Sequence, residues 1–222
     1  MDYVFGYGSI LDDFDPDDPD VMLANLTSIY ERSFCFRSTT GFTAAGVVPS
    51  KSNLNTTICG VLFPVGIRQD TNKDKSKDKS KDKSKDTTTG DVSDIDIDYI
   101  ANSTTSLKAL DIREKGYKRV RVNTSNVSSC NSHCIDATAD KCWIYVPIDP
   151  QEATKDFPIC QTYVDTILRG CLKWGGIDLA TQWIHETTGW SSFFLNDAPL
   201  SRRPWLHRQH FSEIDQVLEA AA

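Results

Sequence analysis

The chain has 222 residues and a formal net charge of −7, with 31 acidic and 24 basic side chains. Its composition is that of a soluble globular protein, and its five Trp, ten Phe and seven Tyr are enough for a substantial core. The acidic balance argues against nucleic-acid or anionic-membrane partners, and no apolar run reaches the roughly 18 residues of a membrane span. We therefore expect a small-molecule substrate, while the oligomeric state stays open.

The N-terminus predicts a cytoplasmic protein. It lacks the basic start and the apolar stretch of a secretory signal. The seven cysteines are an odd number in a chain without such a leader, so they indicate reduced thiols rather than a disulfide framework.

Short runs rich in β-branched and aromatic residues predict four strands in the first third of the chain. These runs cover 3–7, 29–36, 42–48 and 57–65. A Lys-Asp-Lys-Ser repeat follows, and it has no apolar side chain to bury, so we predict a disordered insert over about 68–98. The remaining residues are enough for one fold, and we predict a single domain over 1–222.

The second half of the chain changes from strand patterns to helix patterns. We predict a helix over 105–115, strands over 117–122 and 141–146, and a helix that Pro158 opens. Gly175-Gly176 should end that helix, with a second helix over 177–188 and a C-terminal arm with a short helix over 190–222. Strands followed by helices predict an α+β domain around a mostly antiparallel or mixed, barrel-like sheet.

A loop with two glycines, Gly6-Tyr7-Gly8-Ser9, directly follows the first predicted strand. A dinucleotide-binding loop would need a third glycine at position 11, which is Leu11, so we reject that interpretation. Spacing alone leaves two others open. The loop is either a strand-end turn that needs positive φ, or a concave loop whose backbone N–H groups hold a carboxylate or an oxyanion.

The stretch LDIREKGY at 110–117 places two carboxylates at the predicted end of a helix, with Gly116 as its cap. Asp111 and Glu114 are three residues apart and share one side of the helix. Either is a candidate general base if burial raises its pKa, and either is otherwise a solvated surface group. Spacing does not choose between them.

A cysteine-rich stretch offers four possible zinc ligands, Cys130, His133, Cys134 and Cys142. Their spacing is irregular and no second paired motif accompanies them, so we expect free thiols in a loop. The spacing therefore does not favour a structural metal site.

Two of these stretches together resemble a known family. YVFGYGSI at 3–10 resembles the FGYGSL signature of the γ-glutamylcyclotransferase-like superfamily, with Ile10 where Leu is usual. LDIREKGY resembles the second signature of that superfamily, which carries its catalytic glutamate. Pro158-x-x-Gln161-x-Tyr163 is similar to the helix start that supplies a substrate-contacting tyrosine in family members. The insert at 68–98 is not part of the family core.

The resemblance implies a small mixed β-barrel with flanking helices, a cavity at one end and no cofactor. It implies a γ-glutamylcyclotransferase, which would release 5-oxoproline from γ-glutamyl amino acids, amines or glutathione. The alternative is a non-catalytic binding or interaction module on the same fold. The resemblance assigns general acid/base catalysis to Glu114, and substrate binding to Tyr7, Gly8, Ser9, Ile10 and Tyr163.

Overall fold

The computed structural model of this chain describes residues 1–51, 55–66, 106–129, 140–197 and 210–221. Within these ranges the fold is α+β, as predicted, with strands dominating the first half and helices the second. The predicted insert, the segment 198–209 of the C-terminal arm, and the candidate ligands Cys130, His133 and Cys134 lie outside the described residues.

The main sheet has six strands. They are β1 (Asp2–Gly6), β2 (Met22–Ser28), β5 (Thr56–Val65), β6 (Tyr117–Val122), β7 (Val127–Ser129) and β8 (Lys141–Pro147), numbered in chain order. Their order across the sheet is β6-β8-β1-β5-β2-β7. Strand β1 pairs antiparallel with β5 and parallel with β8, so the sheet is mixed, as predicted.

Two smaller sheets complete the described strands. β3 (Tyr30–Arg37) pairs with β4 (Thr43–Pro49) and with β10 (Thr187–Thr188), while β9 (Ile159–Cys160) pairs with β11 (Phe194–Leu195). The predicted barrel is not confirmed. Among the described strands the main sheet is open, with β6 and β7 at its edges, and β3 pairs with β4 and β10 in a separate sheet.

The strands before the insert agree with the sequence patterns, except for one that the patterns missed. Each of the four predicted runs lies within one residue of β1, β3, β4 or β5. Strand β2 was not predicted. Its inward positions alternate correctly for a strand, but Met22, Ala24 and Leu26 are not residues that favour one, and pairing with β5 decides its conformation.

Three helices are described. α1 (Leu107–Arg113) begins after Ser106, whose hydroxyl accepts a hydrogen bond from the Ala109 N–H at 3.1 Å. α2 (Gln161–His185) has non-helical backbone at Gly175 and Gly176, so the predicted break is present. α3 (Phe211–Ala221) is the short C-terminal helix.

The predicted bounds of the second helical region were wrong at both ends. Pro158 does not open α2, because Ile159 and Cys160 pair with β11 and the helix begins at Gln161. At the other end, Thr187 and Thr188 form β10 beside β3 rather than a last helical turn. None of the helices in the described ranges is long and apolar enough to cross a membrane.

Alternate residues of β5 enter two apolar clusters on opposite faces of the main sheet. Val61 and Phe63 join the cluster that contains Ile167 and Trp183 of α2, while Ile58 and Leu62 join the other. α2 therefore covers one face of the sheet.

Candidate functional site

A small cleft, partly open to solvent, lies where the loop after β1 meets the end of α1. All six residues that the resemblance assigned to the site line this cleft. They are Tyr7, Gly8, Ser9, Ile10, Glu114 and Tyr163. Residues from β1, β4, β5, α1, β6, β8 and α2 contribute to its walls, so only the folded chain assembles it. Their chemical roles stay predictions.

Neither glycine of the loop serves a left-handed turn, and close packing requires glycine at one of them, Gly6. Neither Gly6 nor Gly8 has positive φ, so the positive-φ interpretation was wrong. A Cβ at Gly6 would lie 2.3 Å from Cγ2 of Ile10, which folds back over it. A Cβ at Gly8 would lie 3.6 Å from the Tyr163 hydroxyl, an ordinary contact distance, so packing does not require glycine there.

A short 3-10 helix, Ser9–Asp12, continues the loop. Because Ser9 and Ile10 are its first residues, their N–H groups have no acceptor within the helix itself. They are at the wall of the cleft, where they are available to a ligand with a carboxylate or a developing oxyanion.

Helix α2 holds this loop in position. Three of its side chains donate hydrogen bonds to loop carbonyls: Trp183 to Tyr7 at 3.0 Å, Trp174 to Leu11 at 2.9 Å, and Lys173 to Asp12 at 2.8 Å. Arg169 also forms a salt bridge with the Asp12 carboxylate. Gly170 permits this contact, since a Cβ there would lie 2.7 Å from the Leu11 carbonyl carbon.

Glu114 enters the cleft from the turn between α1 and β6. It is the C-cap of α1, and its N–H donates to the Leu110 carbonyl at 2.8 Å. Gly116 allows the chain to turn here, with φ of +100° and the Phe36 ring 2.7 Å from where its Cβ would lie. Position 116 therefore requires glycine, and the turn fixes the direction of Glu114.

The Glu114 carboxyl is a candidate acid/base group by its surroundings. Its side chain is 25% exposed, and its Oε1 lies 3.5 Å from Nε of Arg113. Burial raises the pKa of Glu114, while the positive charge of Arg113 lowers it and the negative charge of Asp13 raises it. Such a carboxyl binds protons more readily than a solvated one.

Asp111 does not share this environment. Its side chain is 44% exposed and is not part of the cleft lining. Its carboxylate accepts a hydrogen bond from the Tyr145 hydroxyl at 2.8 Å and lies 3.3 Å from Nη1 of Arg119. Spacing did not choose between these two carboxylates. The fold directs Glu114 into the cleft, whereas Asp111 pairs with Tyr145 and Arg119 outside it.

Four tyrosines surround the cleft, and burial raises the pKa of each. Three of them donate their hydroxyl protons to protein acceptors: Tyr7 to the Tyr145 carbonyl, Tyr117 to the Ala45 carbonyl and Tyr145 to Asp111. Tyr163 differs, since its hydroxyl oxygen accepts the Ala45 N–H at 3.1 Å. The Ser9 side chain also hydrogen-bonds this hydroxyl, whose own proton is not used in the bond from Ala45.

Sequence reasoning missed Tyr145 and Ala45 as lining residues. Tyr145 follows Trp143 by two positions on β8, so the pattern places both on one face of a strand. The pattern does not say which face of the sheet that is, and only the pairing with β1 and β6 brings Tyr145 to the cleft.

In the ranges that the structure covers, no group of three or more His, Cys, Asp or Glu side chains is arranged to hold a metal ion. Cys142, the member of the cysteine-rich stretch within those ranges, is buried in β8. Burial raises the pKa of its thiol to about 12. A metal-bound cysteine is a thiolate, so this environment does not favour Cys142 as a ligand.

Comparison with known proteins gives matches among solved structures. No family model matches the chain, and no curated protein matches significantly. A structure of a γ-glutamyl cyclotransferase matches over 78% of this chain and 79% of its own, with 16% identity and a TM-score of 0.44. A γ-glutamyl cyclotransferase specific to glutathione, from yeast, matches over 98% and 95%, with 12% identity and a TM-score of 0.32. This chain is thus similar, at low identity, to solved γ-glutamyl cyclotransferases.

Proposed function

We propose that this chain is a γ-glutamylcyclotransferase-type enzyme, which releases 5-oxoproline from a γ-glutamyl amino acid, a γ-glutamyl amine or glutathione. The observation that carries the proposal is the cleft. It brings Glu114, a partly buried carboxyl with a raised pKa, to the same space as the loop after β1, although the two lie far apart in the sequence.

The reaction is an internal amide exchange. The substrate's α-amine nitrogen attacks its γ-carbonyl carbon, the ring C–N bond forms, and the bond from that carbon to the amide nitrogen breaks. Two protons leave the α-ammonium group, and both end on the released amine, so no water or other reactant is consumed. Because the attack is intramolecular, the enzyme has to hold a reactive rotamer and move protons.

Glu114 is the group that moves these protons in the proposed mechanism. It accepts a proton from the α-ammonium and returns it to the departing nitrogen. A raised pKa suits this task, because a carboxylate that binds protons more tightly is a better base and, once protonated, still an adequate acid. Its location in a cleft that is only partly open to water strengthens these transfers.

The remaining cleft residues bind and orient the substrate in this proposal. The N–H groups of Ser9 and Ile10 hold its carboxylate or the developing oxyanion. Tyr163, whose hydroxyl oxygen accepts the Ala45 N–H, donates its hydroxyl proton to the γ-glutamyl group. Tyr7 and Gly8 form the wall beside the glutamyl chain, with the Tyr7 hydroxyl held by the Tyr145 carbonyl.

The non-catalytic alternative is less well supported by the surroundings of Glu114. Burying a carboxylate in a cleft without saturating it with hydrogen bonds costs stability. A pure binding module has no use for such a group unless its ligand is a cation, whereas a proton-transfer enzyme requires it.

The test is a panel of γ-glutamyl amino acids, γ-glutamyl amines and glutathione, with 5-oxoproline measured by chromatography and mass spectrometry. We expect release from at least one class. Glu114→Gln keeps the shape of the side chain and should reduce kcat/KM by about 10²- to 10⁴-fold. Glu219→Gln, a change at an exposed position of α3, is the matched control and should retain full activity.

Two results would contradict the proposal. One is the absence of 5-oxoproline from every member of the panel with well-folded protein. The other is a Glu114→Gln variant as active as the wild type.

A further inference from the structure

Three charged side chains meet at the rim of the cleft. The Arg113 guanidinium lies between two carboxylates, with its Nη2 2.8 Å from Oδ2 of Asp13 and its Nε 3.5 Å from Oε1 of Glu114. The contact with Asp13 is a hydrogen bond, whereas the contact with Glu114 is longer. One cation is thus shared unequally, with Asp13 as its closer partner.

The partners come from two separate parts of the fold. Asp13 ends the 3-10 helix of the loop, and its N–H donates to the Ile10 carbonyl at 3.1 Å. Arg113 and Glu114 end α1. The side chains of Asp13 and Arg113 are 29% and 34% exposed, so solvent screens their interaction only in part.

We propose that Asp13 is a positioning residue for Glu114, because it holds the Arg113 guanidinium away from close pairing with the Glu114 carboxylate. The inference rests on the proposed function in assigning proton transfer to Glu114. The claim that Asp13 acts on Glu114 through the shared Arg113 rests on the contacts alone.

The reason is the effect of an arginine on a carboxylate. A carboxylate that forms a close, two-point pair with a guanidinium is stabilised in its charged form and becomes a weak base. If Asp13 did not hold Nη2, the same guanidinium could approach Glu114 more closely. The opposite influences of Asp13 and Arg113 on the pKa of Glu114 agree with this arrangement.

The other groups that face Glu114 are uncharged near neutral pH. Tyr7, Tyr117, Tyr145 and Tyr163 all have pKa values raised by burial, and the charge of Glu114 also raises each of them. The nearby Asp111 carboxylate is paired with Arg119. Among the described residues, Asp13 and Arg113 are therefore the charges best placed to set the basicity of Glu114.

The test is Asp13→Asn, which keeps the shape of the side chain and removes its charge. The pKa of Glu114 is followed by ¹³C NMR titration of the side-chain carboxyl, with the signal assigned by its loss in Glu114→Gln. We expect Asp13→Asn to shift this pKa downward and to move the acidic limb of the kcat/KM profile to lower pH. Maximal kcat/KM should fall severalfold.

Two controls separate this role from a general charge effect or a fold defect. Asp17→Asn removes a charge from an exposed position in the same acidic segment and should leave the Glu114 titration as in the wild type. Asp13→Glu keeps the charge and should restore most of the wild-type pKa.

A cycle with Arg113→Gln tests whether Asp13 acts through the arginine. That variant should raise the pKa of Glu114, and Asp13→Asn should have a smaller effect in its background than in the wild type. The proposal is overturned if Asp13→Asn leaves the Glu114 titration unchanged, or shifts it equally in both backgrounds. The titration needs no turnover. If the wild-type protein had no activity, the proposed function would be rejected, but the effect of Asp13 on the pKa of Glu114 would still be measured.

Discussion

Two glutamates occupy the same local position in this protein and have different surroundings. Glu114 is the C-cap of α1, and Glu186 is the C-cap of α2. Their side chains are 25% and 20% exposed, and each lies near an arginine, at 3.5 Å from Arg113 and 3.3 Å from Arg32 respectively. By sequence context and exposure they are nearly equivalent.

Their remaining contacts separate them. The Glu186 carboxylate accepts hydrogen bonds from the Cys59 N–H at 2.9 Å and from Nε2 of Gln182 at 2.7 Å, in addition to Arg32. The Glu114 carboxylate has the distant Arg113 contact and otherwise faces the cleft. A saturated carboxylate stabilises the fold, whereas an unsaturated one in a cleft remains available for chemistry.

The hydrogen bonds of Glu186 and Arg32 suit a structural role, because the Arg32 side chain is completely buried. Arg32 donates to the hydroxyl of Thr187 and to the carbonyls of Cys59 and Trp183, and it stacks over the Trp183 ring. These bonds join the end of α2 to β3 and β5. Since Trp183 also holds the loop carbonyl of Tyr7, the network supports the site from a distance.

The largest effect on stability is expected at Glu186. Glu186→Gln leaves the buried Arg32 charge without its ionic partner, and should lower the free energy of unfolding by about 2–4 kcal/mol. Folded protein should retain most of its kcat/KM, because Glu186 does not line the cleft. Urea unfolding followed by tryptophan fluorescence measures the loss.

Glu114→Gln is the matched variant in that experiment, and it should lose activity without a comparable loss of stability. The contrast between the two glutamates would be wrong if Glu186→Gln were as stable as the wild type, or if Glu114→Gln were the less stable of the two.

The next effect concerns two tyrosines that both bond to Ala45. Tyr163→Phe removes the hydroxyl that donates to the substrate in the proposed mechanism. The kcat/KM should fall about 10- to 100-fold, which is the effect of losing a hydrogen bond to a charged group. Tyr117→Phe removes a hydroxyl that already donates to the Ala45 carbonyl, and should have a smaller effect on kcat/KM. Steady-state kinetics on the best substrate of the panel compares them. If the two variants lost the same fraction of kcat/KM, the proposed hydrogen bond from Tyr163 to the substrate would be wrong.

The smallest effect is a pH dependence that links stability and activity. Because the folded-state pKa of Glu114 is raised above its ordinary value of about 4.3, its contribution to stability is fully present below that pH and is lost as pH rises through the folded pKa. Activity should rise over the same window, since ionised Glu114 is the base. Relative to the wild type, Glu114→Gln should therefore gain stability as pH increases.

Urea unfolding of both proteins at several pH values from about 4 upward tests this sign. A wild-type stability that rises relative to Glu114→Gln over this range would contradict the raised pKa of Glu114.

The sequence patterns predicted local structure well where local physics decides it. Strand β6 has the predicted bounds, and the break at Gly175-Gly176 lies where the two glycines indicated it, with Gly176 at φ of +66°. The patterns failed where distant pairing decides. Ile159 and Cys160 fall in the predicted helix but pair with Phe194 and Leu195. The inward residues Met22, Ala24 and Leu26 of β2 do not favour a strand, yet β2 pairs along its whole length with β5.

The candidate site divides in the same way. The sequence by itself determined the two signatures and the helix end with its two carboxylates. It also determined the glycines at the positions where the chain must turn or pack closely. Only the tertiary structure decided that Glu114 rather than Asp111 faces the cleft, and that Gly6 is required by Ile10 rather than by its φ angle. The physical reason is that burial and hydrogen-bond partners come from residues far away in the chain, and these set the pKa and the availability of each carboxyl.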